Sequence, residues 1–157
     1  MGQLDGRLAI VTGAGQGVGR GTALALATEG AAVAVIGRTE AKLVETCDEI
    51  HRRGGRGHPV VGNAHDGDDI QRMVGESVEA LGGVDILVNN ANVYARGFGP
   101  LLSIADEHLV KSFMAGPVAT LRFMKACHPH MKARGRGDII NLVSSAMVRW
   151  DARSYGL

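Results

Sequence analysis

The segment Thr12-Gly13-Ala14-Gly15-Gln16-Gly17-Val18-Gly19 places a glycine at every second position. Glycine permits positive φ in a tight turn and lets a ligand's phosphates approach the backbone. Free N–H groups at the start of a following helix supply the positive end of its dipole, so such a turn suits a pyrophosphate. The residues that would hold it are Gly13, Gln16, Gly17, Val18 and Gly19. A second group stands at Ile36-Gly37-Arg38-Thr39. An acidic side chain after the second strand of a dinucleotide fold accepts both ribose hydroxyls of NAD and repels a 2′-phosphate. Arg38 and Thr39 stand there instead. A guanidinium grips phosphate through paired donors and the hydroxyl adds another, so the pair favours NADP over NAD. The plainer alternative for Arg38 is a solvated residue at a strand end.

The elements that must position these residues alternate along the chain. Leu8 to Val11 is an uninterrupted apolar run, as expected of a parallel strand buried on both faces. Val18 to Glu29 follows as a helix, with Val18, Thr22, Ala25 and Leu26 on one face and Gly30 as its cap. Ala32 to Ile36 repeats the strand pattern, and Glu40 to Arg53 is amphipathic through Leu43, Cys47 and Ile50. Pro59 to Val61 is a short third strand, Asp66 to Leu81 a third helix, and Asp85 to Val88 a fourth strand. Helices near Asp106 to Met114 and Pro117 to Met131 precede a fifth strand at Asp138 to Val143. This alternation predicts an α/β fold, a doubly wound parallel sheet of Rossmann type, with residues 1–157 as a single domain. Ligands of such sheets sit beyond the carboxyl ends of the strands.

With Thr-Gly-x-x-x-Gly-x-Gly in place after the first strand, and Asn89-Asn90-Ala91-Asn92 after the fourth, the chain resembles the short-chain dehydrogenase/reductase family over its whole length. The resemblance implies a nicotinamide cofactor held also by Asn63, which takes the position of an acidic residue on the adenine amino group, by Ala64 after it, and by Asn90 and Ala91. Asn92 replaces a glycine, and asparagine is the other residue that tolerates a left-handed backbone. It further implies chemistry in which a Tyr exchanges a proton with the carbonyl or alcohol oxygen. A Lys one turn later lowers that Tyr pKa, and a Ser orients the substrate. The Ser corresponds to Ser145. The Tyr is expected just past Leu157; Tyr155 is either that phenol, with a short loop, or a packing residue of the site rim. Phe113 stands where the family places a catalytic Asn, and Gln16 where NADP-preferring members often have a basic residue. The resemblance also implies a longer chain, this one ending inside the active site, and a homo-oligomer, dimer or tetramer, through the Pro117 to Met131 helix.

Composition narrows the partners. Seventeen Lys and Arg against sixteen Asp and Glu leave a charge of +1, with no field to attract nucleic acid or an anionic membrane. No eighteen-residue apolar run and no signal sequence stand in the chain, and two cysteines far apart form no disulfide framework. A cytoplasmic enzyme on a small carbonyl or alcohol substrate is the expectation, without a metal. Cys127-His128-Pro129-His130 has no second ligand cluster to complete a site. Tyr94 and Phe98 either line a substrate mouth or cover the sheet end. The rival is a nucleotide-binding module without catalysis, motivated by Phe113, Asn92 and the missing Tyr-Lys pair; a related dehydratase or epimerase is a third reading.

Overall fold

The computed structural model describes residues 2–91 and 104–143. Its elements are β1 (Leu8–Thr12), α1 (Gly17–Thr28), β2 (Ala32–Gly37), α2 (Glu40–Arg52), β3 (Arg56–Val61) and α3 (Gly67–Leu81), followed by β4 (Ile86–Asn89), α4 (Asp106–Phe113), α5 (Ala119–Ala133) and β5 (Asp138–Asn141). The strands form one parallel sheet in the order β3-β2-β1-β4-β5. The chain reverses its direction of travel between β1 and β4, which creates a crevice there at the carboxyl edge.

Successive residues of the central strands serve opposite faces of the sheet, so an unbroken apolar run is required to bury both. Ile10, Ala34, Ile36, Val60 and Leu87 pack with Ile70, Met73, Val74, Phe123 and Cys127 from α3 and α5. Ala9, Val11, Val33, Val35 and Val88 pack with Ala23, Ala27, Leu43, Cys47 and Ile50 from α1 and α2. Burial pushes the Cys47 thiol up to about 11, with Asp48 adding to it, and pushes the Cys127 thiol up to about 12. Both are core residues, and among the described residues no three or more His, Cys, Asp or Glu side chains cluster together.

Four expectations change. The buried face of α1 is Gly19, Ala23 and Ala27, while Val18 is 65% exposed and Ala25 is also exposed. Small side chains let the helix approach the sheet closely, a demand that hydrophobic periodicity does not register. The third strand starts at Arg56, before Pro59, because pairing with β2 recruits half-buried and exposed residues that carry no apolar signal. The fifth strand ends at Asn141 rather than Val143. Gly116-Pro117 does not separate two helices: Met114–Val118 forms a π-helical turn joining α4 to α5. The wider turn accommodates a proline that lacks an N–H and would clash in α geometry.

Beneath the sheet, at the amino ends of β1, β4 and β5, Asp85 is fully buried. It accepts hydrogen bonds from the Leu8 N–H at 3.0 Å, Arg134 Nε at 2.7 Å and Arg136 Nε at 2.9 Å. Arg7 bridges to Asp138 beside it. Burial pushes the Asp85 pKa up, but the bonds from Arg134, Arg136 and Leu8 outweigh burial and hold it at about 2. A carboxylate depressed below its unfolded value adds stability that is present above about pH 4 and lost as pH falls towards the folded pKa. Asp85→Ala is therefore expected to destabilise the protein by about 3 kcal/mol, because it strands the arginines around an empty centre. Urea unfolding at pH 7 and at pH 3 measures this, and the difference between wild type and variant should shrink at the lower pH.

Candidate functional site

β1 ends at Thr12, whose hydroxyl ties the first turn to the fourth. Thr12 Oγ1 accepts the N–H groups of Asn90 at 3.0 Å and Ala91 at 2.9 Å, and donates to the Val88 carbonyl at 3.3 Å. The Asn90 side chain then donates to the carbonyls of Thr12 at 2.9 Å and Gly13 at 3.3 Å. Gly13 and Gly17 take φ of +66° and +56°, the left-handed region that favours glycine. A Cβ on Gly19 would run into the Gly13 carbonyl and the Asn90 side chain. The turn is thus shaped from two strands at once, and its glycines are required by closeness as well as by φ.

The helix start that this turn presents is bare. Gln16 is the N-cap of α1 in extended conformation, makes no side-chain capping bond, and no acidic residue stands in the first turn. α3 is the contrast: Asp66 caps it by accepting from the N–H groups of Asp68 and Asp69. An uncapped helix start keeps its donors and its partial positive charge for an anion. Here it opens onto a cleft of about 510 Å³ above the crevice between β1 and β4.

Gly13, Gln16, Gly17, Val18, Gly19, Arg38, Thr39, Ala64, Asn90 and Ala91 all line this cleft. Asn63 does not. Its side-chain oxygen accepts from the His65 N–H at 3.2 Å and its own N–H goes to Asp69 Oδ2 at 2.6 Å, so it serves the turn into α3. Arg38 and Thr39 are exposed at the end of β2, and Thr39 makes no capping bond to α2. Ser145 and Tyr155, with Asn92, Tyr94 and Phe98, lie outside the described residues.

Sequence reading missed two polar side chains of the cleft, Lys42 and His65. Lys42 Nζ donates to Gln16 Oε1 at 2.5 Å, across from α2 to the glycine turn. His65 Nδ1 is buried without a hydrogen-bond partner among the described residues. Burial, then the charge of Arg38, pushes the His65 pKa below its ordinary value, with the Ala115 backbone working against them. His65 stands on a strand-to-helix connection and Lys42 in the first turn of the helix that follows one, which was the available signal, but only the fold shows which way each side chain points.

A family model described as short chain dehydrogenase matches residues 7–153. The chain belongs to that family. Among short-chain dehydrogenases it is 35% identical over 153 residues to a 12alpha-hydroxysteroid dehydrogenase of a Clostridium species, covering 93% of this chain and 58% of that protein. It is 46% identical over 87 residues to glucose 1-dehydrogenase of Gluconobacter oxydans, covering 55% of this chain and 33% of that one. Two solved structures superpose closely. A 7 alpha-hydroxysteroid dehydrogenase complexed with NADH and 7-oxo glycochenodeoxycholic acid gives a TM-score of 0.89 at 28% identity, over 94% of this chain and 57% of that one. A metagenomic short-chain oxidoreductase in complex with NADP gives 0.87 at 33% identity, over 95% and 67%. The chain spans about half the length of the curated relatives it matches.

The brace predicts two phenotypes. Asn90→Ala, which leaves the Thr12 and Gly13 carbonyls short of a donor, is expected to cost about 1–3 kcal/mol in denaturant unfolding. Gly19→Ala is expected to cost a similar amount, since the backbone it strikes must move. A Gly19→Ala protein as stable as wild type would show that the helix can shift freely against the turn.

Proposed function

We propose that this protein binds a nicotinamide dinucleotide, NADP in preference to NAD, and serves an oxidoreductase that moves a hydride between it and a small carbonyl or alcohol substrate. Residues 1–157 are read as one NAD(P)-binding domain. The observation that carries the reading is the uncapped α1 start at the β1/β4 crevice, with Arg38 beside it and no acidic side chain at the end of β2.

The residues present fit the group. The N–H groups of the turn from Gly13 to Gly19 would take the pyrophosphate, and Gly17, where a Cβ would stand in open space, leaves the backbone bare to it. Arg38 and Thr39 would take a 2′-phosphate, while Ala64 and Ala91 supply apolar walls on either side of the cleft. Nicotinamide supplies the hydride chemistry when bound. Ser145 is the residue read as orienting the substrate oxygen, and Tyr155 as the phenol nearest to it in sequence. The relatives include hydroxysteroid and glucose dehydrogenases, and structural neighbours carry NADH in one case and NADP in another. These support a small alcohol or carbonyl as the substrate class, and the choice between the two cofactors rests on Arg38.

Assembly and place in the cell are part of the same reading. The Phe123, Ala126, Cys127 and Met131 side of α5 faces the core, so a homo-oligomer through the Pro117 to Met131 helix would use its outer side. Leu121 is 48% exposed on α5, and Val110 and Phe113 are exposed on α4. No described helix is long and apolar enough to cross a membrane, and a reducing cytoplasm suits two free, buried thiols. A second reading, a dinucleotide-binding module without catalysis, is favoured by Phe113, an exposed phenyl where the family places a relay Asn.

Calorimetric titration with NADPH and NADH, on wild type and Arg38→Asp, tests the cofactor assignment. Wild type should bind NADPH more tightly, and the variant should lose at least about tenfold in NADPH affinity while keeping or gaining NADH, since a carboxylate repels the phosphate and accepts the ribose hydroxyls. Equal affinities in wild type would refute the preference, and no binding of either would refute the site.

A further inference from the structure

The glycine turn of this chain has Gln16 at the position where a cation would help to hold a 2′-phosphate. The cation is nevertheless present. Lys42, in the first turn of α2, lines the cleft, and its Nζ donates to Gln16 Oε1 at 2.5 Å. Gly15 makes the approach possible: a Cβ there would stand 3.1 Å from Lys42 Cβ, tighter than ordinary contact, so the bare glycine lets α2 lean on the turn. Thr46, one turn further along α2, shares its single hydroxyl proton between the Lys42 carbonyl at 2.9 Å and, more weakly, the Ala14 carbonyl of the turn at 3.3 Å.

We propose that Lys42, held in place by Gln16, is a specificity-determining residue of the cleft and acts with Arg38 as the second cation that recognises the 2′-phosphate of NADP. The inference rests on the NADP reading above. Its physical basis is the kind of partner Lys42 has. Some cations at helix surfaces of this protein are neutralised by carboxylates, Arg20 by Glu45, Arg53 by Glu49 and Arg72 by Asp69 and Glu76; Lys111, Arg122, Lys125 and Lys132 have no ion pair among the described residues, but none of them lines the cleft. Among the described residues, neither Lys42 nor Arg38 stands in an ion pair. An amide oxygen orients an ammonium without cancelling its charge, so the field of Lys42 remains available to an incoming anion. Holding the long side chain beforehand also lowers the entropy lost when the anion arrives. A lysine is a point charge with rotatable donors, so it complements the planar fork of Arg38 instead of duplicating it.

Lys42 could instead serve the pyrophosphate, which both cofactors share, and the experiment separates the two. Affinities of the full chain for NADPH, NADH, 2′,5′-ADP and 5′-AMP are measured by calorimetry on wild type, Lys42→Met, Lys42→Arg and Gln16→Leu. Lys42→Met is expected to weaken NADPH and 2′,5′-ADP by about tenfold while leaving NADH and 5′-AMP within about twofold. Lys42→Arg should retain most of the wild-type preference, and Gln16→Leu, which keeps the charge but releases it, should fall between wild type and Lys42→Met. Equal weakening of NADPH and NADH would place Lys42 on the pyrophosphate and overturn the proposal. So would a Lys42→Met protein with an undiminished NADPH preference, provided that Arg38→Asp still abolishes it; that result leaves the NADP reading standing. Wild type that binds NADH as tightly as NADPH overturns both. Circular dichroism of each variant separates loss of fold from loss of affinity.

Discussion

Thr12 Oγ1 receives the backbone N–H groups of Asn90 and Ala91, and Asn90 returns its side-chain donors to Thr12 and Gly13. These bonds join the carboxyl ends of β1 and β4, the two strands between which the chain reverses its winding. Parallel strands diverge towards helices on opposite faces at that point, and a crevice opens that nothing in the sheet itself would keep in shape. The brace keeps it in shape. It sets the path of the glycine turn, and that path aims the bare start of α1 into the cleft. Arg38 from the end of β2, Lys42 from α2 and His65 from the β3 to α3 connection then reach the same space.

The two ends of the sheet treat charge in opposite ways. At the amino ends, Arg134 and Arg136 close on the buried Asp85, and Arg7 bridges to Asp138, so cations there are matched by carboxylates and stabilise the junction of β1, β4 and β5. At the carboxyl ends, Arg38 and Lys42 face the cleft without an ion pair among the described residues, and α1 adds its positive end. Carboxylates near the cleft are otherwise engaged: Asp66 accepts the N–H groups of the first turn of α3, and Asp69 accepts the Asn63 N–H and pairs with Arg72. One end is therefore electrostatically closed and the other is left open to an anion.

The helical layer beside β4 shows how a local rule can be overridden. Gly116-Pro117 has the composition of a break, yet α4 runs into α5 through one π-helical turn. Packing of α5 against α3 and the sheet, through Phe123, Cys127 and Met131, favours a continuous axis. Widening a single turn is the cheaper response to a proline than giving up that burial.

The sequence by itself determined the alternation of strands and helices, the parallel sheet and the position of the glycine turn. Each of these depends on short-range patterns: apolar runs for strands buried twice, helical spacing, and glycine where φ must be positive. It also determined most of the cleft lining, because in a doubly wound sheet every strand-to-helix connection at the carboxyl edge meets the same crevice. Only the tertiary structure decided which side chains point into that crevice. Asn63 turns to its own loop, Asn90 becomes a brace, and Lys42 crosses from another helix to Gln16. Such pairings join residues far apart in the chain, and no local period carries them. The small-residue face of α1 escaped for a related reason: what selects Gly19, Ala23 and Ala27 is the distance to the sheet, a quantity that exists only once the layers have met.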